Sequence, residues 1–257
     1  VGSSKLVILG FRNTSPNSVD FFMLKRLVVL TGSGISAESG IPTFRAEDGL
    51  WAGYKIEEVA TPEAWQKKPE MVLDFYNKRR ENAAAAKPNR AHQLLSGLAE
   101  KFDVQIITQN VDDLHERAGS KQILHLHGSL FESRSVKTGK VFPVKNNVIK
   151  LGECCPNGGQ LRPNIVWFGE DVPLIQVAAE WVAQADIFLI VGTSLQVYPA
   201  AGLYRYCRYD ALKFLIDPAV PAEVLGRKDF TIWPEKATTG VEKFCDHLAK
   251  LSGQTLK

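Results

Sequence analysis

The sequence predicts an α/β fold, a doubly wound parallel sheet with a second, smaller module inserted into it. Three observations predict it. Apolar runs of strand length recur at residues 27–30, 104–108, 123–127, 187–191 and 212–216. Stretches with helical spacing separate them, at residues 69–86, 89–101 and 241–251. Strands that alternate with helices favour a parallel sheet of Rossmann-like winding, because each crossover returns the chain to the same edge direction. The third observation is residues 132–162, rich in Lys, Asn, Gly, Ser and Pro with weak periodicity, which reads as the small module. The large domain is then 23–131 with 163–257.

Residues 1–22 stand apart as a leader or appended extension. They lack the basic start, long apolar region and small-residue cleavage site of a signal peptide. The first core strand runs straight into Thr31-Gly32-Ser33-Gly34-Ile35-Ser36-Ala37. That reads as strand, glycine turn and helix start, an arrangement in which free N–H groups and the positive helix end face a phosphate. Ser33 and Ser36 add hydroxyl donors. A dinucleotide dehydrogenase would show a second strand closed by an acidic residue about 20 positions on. Residues 38–51 show none; they are polar, broken by Gly40 and Pro42, and carry Phe44, Arg45 and Trp51. A long loop of this kind beyond a phosphate site suggests a lid over a bound nucleotide, and residues 38–65 are assigned to this cofactor-loop region. Thr61-Pro62 starts a short helix, Pro69 opens a longer one, and Asn89 caps the next.

The polar residues that follow the strands are Gly32-Ser33-Gly34, Gln109-Asn110-Val111-Asp112, Gly192-Thr193-Ser194 and Asp217. In a doubly wound sheet they converge on one rim, where ligands bind. Asn110 and Asp112 follow one strand, and His125 and His127 end the next. A histidine beside an amide and a carboxylate is a candidate general base, though a histidine here also suits a structural role. The two histidines share one parity, so pattern alone leaves both open. Tyr76 and Arg79 lie at i, i+3 on one helix face. Arginine offers a planar fork to a carboxylate and tyrosine a hydroxyl; spacing alone fits better a helix edge whose side chains snorkel to water.

Composition excludes other classes. The net charge is +3 and no Lys/Arg block stands out, so nucleic acid is not an expected partner. No apolar run spans a membrane. The four cysteines, Cys154, Cys155, Cys207 and Cys245, make no disulfide framework, which favours the cytoplasm.

The motifs run in a fixed order: Thr31 to Pro42, Phe44-Arg45, Thr108-Gln109-Asn110-Val111-Asp112, Leu114-His115, Ala118-Gly119, His127-Gly128-Ser129, Leu161-Arg162-Pro163, Val166-Trp167-Phe168-Gly169-Glu170 and Gly192-Thr193-Ser194. In these stretches the chain resembles the sirtuins, NAD-dependent protein lysine deacylases. The resemblance selects His127 over His125. It implies NAD across the strand ends, near Gly32, Ser33, Gly34, Ile35, Ser36, Gly192, Thr193, Ser194, Asp217 and Ala237. Gln109, Asn110 and Asp112 would hold the nicotinamide ribose and pocket, and Phe44 and Arg45 would come from the closing loop. An acylated protein lysine would enter a tunnel, its backbone pairing as a strand with Val166, Trp167, Phe168 and Gly169. In the implied chemistry the acyl oxygen attacks the ribose C1′ and nicotinamide leaves. His127 then removes a ribose hydroxyl proton, with Asn110 and Asp112 beside it, and O-acyl-ADP-ribose results. Transfer of ADP-ribose to protein, or sensing of NAD without deacylation, are the alternatives.

Two features refine the resemblance. Tyr76 and Arg79, with the small residue Ala60, match the branch that removes succinyl and malonyl groups, with deacetylation beside it. Most sirtuins also hold a structural zinc through two Cys-x-x-Cys pairs. Here those positions are Ser135, Thr138, Cys154 and Asn157. Serine, threonine and asparagine are poor zinc ligands, so no zinc is expected. The oligomeric state is left open.

Overall fold

A computed structural model describes residues 25–43, 51 and 53–251. The extension at residues 1–22 and the loop residues Phe44 and Arg45 lie outside the described residues. In chain order the elements are β1 (Arg26–Thr31), α1 (Ile56–Val59), α2 (Pro62–Lys67), α3 (Pro69–Ala85), α4 (Arg90–Gly97), β2 (Asp103–Thr108), α5 (Leu114–Arg117), β3 (Gln122–His125), β4 (Gly128–Ser135), β5 (Val141–Pro143), β6 (Leu161–Ile165), α6 (Ile175–Ala183), β7 (Ile187–Val191), β8 (Leu212–Ile216), β9 (Phe230–Trp233) and α7 (Ala237–Leu251).

Six strands form a parallel sheet in the order β3-β2-β1-β7-β8-β9. The order reverses between β1 and β7, the switch point at which such sheets bind ligands. Side chains of period two divide between the faces. Leu27, Val29, Ile106, Leu189 and Phe214 pack on one side with Ala91 and Leu95 of α4 and Val241, Phe244 and Leu248 of α7. Val28, Leu30, Ile107, Phe188, Ile190 and Leu215 pack on the other with Ala178 and Val182 of α6 and with the 3-10 segment Ala200–Tyr206. Burial on both faces explains why these strands read as unbroken apolar runs rather than alternating ones.

The helix starts follow from their caps. Thr61 Oγ1 accepts the Ala64 N–H at 3.1 Å, with Pro62 in the first turn where its missing donor costs nothing. Asn89 Oδ1 accepts the Ala91 N–H at 3.0 Å. The Asn89 amide also donates to the Ile35 carbonyl at 2.8 Å and to Ser39 Oγ at 3.0 Å, tying α4 to the glycine turn after β1.

Several elements differ from expectation. No α-helix begins at Ser33. Two 3-10 turns, Ser33–Ile35 and Ala37–Ser39, stand there instead. The segment is stopped by Gly40 at φ 85° and by the Ile41 N–H turning back to the Ser36 carbonyl. The α-helix after Asn89 ends at Gly97, and a 3-10 turn, Leu98–Glu100, completes the stretch. The strand expected at 123–127 ends at His125, and the sequence reading assigned no element to α6 or β9. The weakly periodic stretch contains strands after all: β4 pairs antiparallel with both β5 and β6 in a separate three-stranded sheet. Their buried positions include the polar residues Ser133, Ser135 and Arg162, which leaves little apolar periodicity to read.

Candidate active site

The sheet's switch point opens into a cavity of about 580 Å³. Its lining includes the strand-end residues Gly32, Ser33, Gly34, Ser36, Gly192, Thr193, Ser194 and Asp217, with Ala237 at the start of α7. It also includes Gln109, Asn110, Asp112 and His127, together with Ala60, Tyr76, Arg79, Val166, Trp167, Phe168 and Gly169. Every site residue expected from the sequence and lying among the described residues is on this wall except Ile35, which is fully buried in the core beneath it.

The glycines act differently from the sequence expectation. The Gly34 N–H donates to the Gly192 carbonyl at 2.9 Å and the Gly32 N–H to the Val191 carbonyl at 3.1 Å. The N–H groups of Ile35 and Ser36 close the first 3-10 turn. These four donors serve the fold rather than an anion. A Cβ on Gly34 would lie 2.6 Å from Gly192 Cα, and one on Gly192 would lie 2.4 Å from the Ile35 nitrogen. Gly192 also has φ +63°. The turns after β1 and β7 therefore interlock backbone to backbone, and side chains are excluded from the floor of the cavity.

Gln109 joins three strand ends. Its N–H donates to the Thr31 carbonyl at 3.0 Å, and its Nε2 to Thr193 Oγ1 at 3.1 Å. Its carbonyl faces His127 Nδ1 at 3.0 Å. A carbonyl oxygen only accepts, so the His127 proton sits on Nδ1 and the Nε2 lone pair is left for the cavity. Burial holds this imidazole below its ordinary value of 6.5, against the raising effect of the Gln109 bond. Position follows from Gly128. At φ +82° it swings the chain from one sheet into the other, passing so close to Asn164 that a Cβ would meet its carbonyl at 1.9 Å.

His125 is taken elsewhere. Its Nδ1 bonds the Asn110 carbonyl at 3.1 Å and its Nε2 bonds Glu116 Oε1 at 2.6 Å. Burial opposes its charge, but the Glu116 bond and charge raise its pKa overall. It does not line the cavity. Asn110 and Asp112 meet through Ser36: Asn110 Nδ2 donates to Ser36 Oγ at 3.1 Å, and Ser36 Oγ donates to Asp112 Oδ2 at 3.1 Å. Burial raises the Asp112 carboxyl, countered by the Leu114 N–H and Ser36.

Tyr76 and Arg79 do not snorkel; they turn inward. Tyr76 is fully buried, and its hydroxyl oxygen accepts the Trp167 Nε1–H at 3.1 Å. The Arg79 guanidinium lies 4.1 Å from the Trp51 ring centroid, a cation–π contact worth about 0.5–2 kcal/mol. Its Nε has no hydrogen-bond partner among the described residues. Ala60, Leu130, Val111 and Ile165 complete an apolar lining. Trp51, Leu130 and Ile165 were not singled out from the sequence. Trp51 had a signal, as a large aromatic closing a polar loop; the other two read as ordinary core positions.

In the small module, Ser135 Oγ accepts N–H bonds from Lys137 and Thr138 at 3.3 Å each, and the Cys155 thiol donates to it at 3.3 Å. Cys154 forms an isolated bridge with Gln160. Among the described residues no three His, Cys, Asp or Glu side chains gather as a metal site, and no helix is long and apolar enough to cross a membrane.

This geometry agrees with comparisons to known proteins. The chain is 55% identical over 195 residues to an NAD-dependent protein deacylase of Helicobacter pylori, covering 76% of this chain and 85% of that protein. It is 49% identical over 226 residues to an NAD-dependent protein deacylase of Bacteroides thetaiotaomicron, covering 86% and 96%. A crystal structure of a Sir2 homologue–NAD complex superposes with a TM-score of 0.80 at 39% identity, over 92% of this chain and 93% of that one. A mutant Sir2 homologue in complex with 2′-O-acetyl ADP ribose superposes with a TM-score of 0.81 at 37% identity, over 95% and 100%. The Sir2 family profile matches residues 32–199, and with this fold and these relatives the chain belongs to the Sir2 family.

Proposed function

We propose that this NAD-dependent protein deacylase removes succinyl and malonyl groups from protein lysines, with acetyl as a further substrate. The observation that carries the acyl preference is Arg79. A half-buried arginine whose guanidinium stacks on Trp51, whose buried Nε has no hydrogen-bond partner and which has no carboxylate in salt-bridge contact among the described residues, lines a largely apolar cavity beside the Tyr76 hydroxyl. A charge partly withdrawn from water with no ionic partner is unfavourable, so its place there fits a charge that arrives with the ligand. Arg79 would take the acyl carboxylate as a fork, and Tyr76 would donate its hydroxyl. Ala60 leaves room for the longer acyl chain.

NAD, when bound, would supply the electrophilic ribose carbon; with one water consumed, the products would be the free lysine amine, nicotinamide and O-acyl-ADP-ribose. The chain's own residues hold and deprotonate. Gly32, Ser33, Gly34, Ser36, Gly192, Thr193, Ser194, Asp217 and Ala237 would bind the nucleotide, with Ile35 supporting their turn from the core. Gln109, Asn110 and Asp112 would hold the ribose end. His127 presents its Nε2 lone pair as the base for a hydroxyl proton. Val166, Trp167, Phe168 and Gly169 would pair with the substrate backbone.

The test is Arg79→Met, assayed on succinyl-lysine and acetyl-lysine forms of one peptide. A charge-assisted bond is worth about 1.5–3 kcal/mol, so the succinyl-to-acetyl ratio of kcat/KM should fall about ten-fold or more. An unchanged ratio contradicts the preference. We also infer that the small module stands without zinc, because Ser135 Oγ is engaged by Lys137, Thr138 and Cys155 where the family ligand would be. Stoichiometric zinc in purified, tag-free protein contradicts this.

A further inference from the structure

Tyr76 has one hydroxyl proton, and the direction of that proton decides whether it greets a carboxylate or repels it. Its oxygen already accepts the Trp167 indole N–H at 3.1 Å. An indole N–H is a donor only, so at that contact Tyr76 is the acceptor and its own proton points elsewhere. Both rings are essentially inaccessible to solvent, and both residues line the cavity. Trp167 is in turn held from behind. The Arg162 guanidinium lies 3.7 Å from its ring centroid, and its backbone N–H donates to Glu170 Oε2 at 2.9 Å. Glu170 also accepts Arg162 NH2 at 2.6 and 2.9 Å and Arg134 NH2 at 2.8 and 2.9 Å. Buried, and with Arg162 on its ring, the indole is held with its N–H toward Tyr76.

We propose that Trp167 is a positioning residue for acyl selectivity: held by Arg162 and Glu170, its indole N–H occupies an acceptor site on Tyr76 and so aims the Tyr76 hydroxyl proton at the acyl carboxylate. The proposal rests on the acyl-carboxylate reading above. Burial raises the Tyr76 phenol above its ordinary value, which keeps that proton in place.

The experiment is a double-mutant cycle on the succinyl-to-acetyl ratio of kcat/KM, using Trp167→Phe, Tyr76→Phe and both together in the full chain. Trp167→Phe keeps an aromatic ring and deletes the N–H. Whatever it does to turnover as a whole, the ratio should fall about five- to ten-fold, the size of one neutral hydrogen bond. In the Tyr76→Phe background the same substitution should leave the ratio unmoved, because the group it acts through is gone. A ratio unaffected by Trp167→Phe overturns the proposal, and so does an equal fall in both backgrounds. Arg79→Met separates the two levels. If it collapses the ratio while Trp167→Phe does not, the carboxylate reading stands and the role of Trp167 fails; if neither moves it, both fail. Should Trp167→Phe not fold, the indole N–H resonance of the unaltered chain supplies the answer. Succinyl-lysine peptide should shift the Trp167 signal, and acetyl-lysine peptide should not do so to the same extent. Equal shifts overturn the proposal.

Discussion

At the scale of single residues, function turns on where protons sit. His127 donates from Nδ1 to the Gln109 carbonyl and keeps Nε2 free, and burial favours the neutral ring. A base with a lowered pKa is ready across the neutral range. The acid limb of a kcat/KM profile against pH should therefore fall below 6.5, and a limb well above that value would assign it to another group. His127→Ala should remove deacylation, a loss of about 10²–10⁴-fold, while NAD binding stays measurable by calorimetry. The choice between the two histidines was not legible from periodicity, because both share one parity of the strand expected at 123–127, of which the folded strand keeps only His125. What separates them is long-range: Glu116 of α5 captures His125, and Gly128 carries His127 across to the second sheet. The inward turn of Arg79 was likewise invisible in an i, i+3 spacing, since it depends on Trp51 closing over it.

At the scale of elements, the interlocked turns after β1 and β7 are the most constrained part of the fold. Gly192→Ala would place a Cβ 2.4 Å from the Ile35 nitrogen at a residue with φ +63°. The expected cost is about 2 kcal/mol or more in urea unfolding, together with loss of NAD binding; an unshifted midpoint contradicts the interlock. Two buried histidines behind these turns give the fold a pH dependence. His92 of α4 and His115 of α5 meet edge to face at 4.9 Å, and His115 Nε2 lies 3.1 Å from Thr31 Oγ1. Burial lowers His92 to about 4, and His115 falls well below its ordinary value through burial and its histidine neighbours. Between pH 4 and 6.5 the unfolded chain binds more protons at His92 than the folded one. Its contribution is therefore complete above pH 6.5 and is lost as pH falls toward 4, by roughly 3 kcal/mol at most. His92→Gln should flatten that part of a Tm profile; an unchanged slope refutes it. The strands were legible because burial on both faces gives unbroken apolar runs. The helix start expected after the glycine turn is replaced by two 3-10 turns, because the N–H groups there close those turns and bond the turn after β7.

At the scale of the whole molecule, one ordering decides the site. The strand order reverses between β1 and β7, so Gly32, Gln109, Gly192 and Asp217, far apart in the chain, meet at one rim. This convergence could be read from strand endings alone, whereas the part of the cavity lined by Tyr76 and Arg79 could not. That part needs α3 to turn Tyr76 and Arg79 inward while its neighbours Asn77 and Arg80 grip the small module. Asn77 exchanges bonds with Ile149 at 3.0 Å, and Arg80 donates to the Asn147 carbonyl at 3.3 Å. If the module holds itself by such contacts, a chelator should leave both Tm and deacylase activity unchanged. A fall in either on chelation, restored by zinc, contradicts a metal-free module.

The most direct measurement offers one peptide as succinyl-lysine and as acetyl-lysine, with and without NAD, following nicotinamide and acyl-ADP-ribose by mass. The account predicts NAD-dependent loss of both acyl groups, succinyl well ahead of acetyl, with each acyl group recovered on ADP-ribose. Acetyl loss equal to or ahead of succinyl would contradict the role of Arg79, and ADP-ribose recovered on protein without acyl loss would contradict deacylation itself.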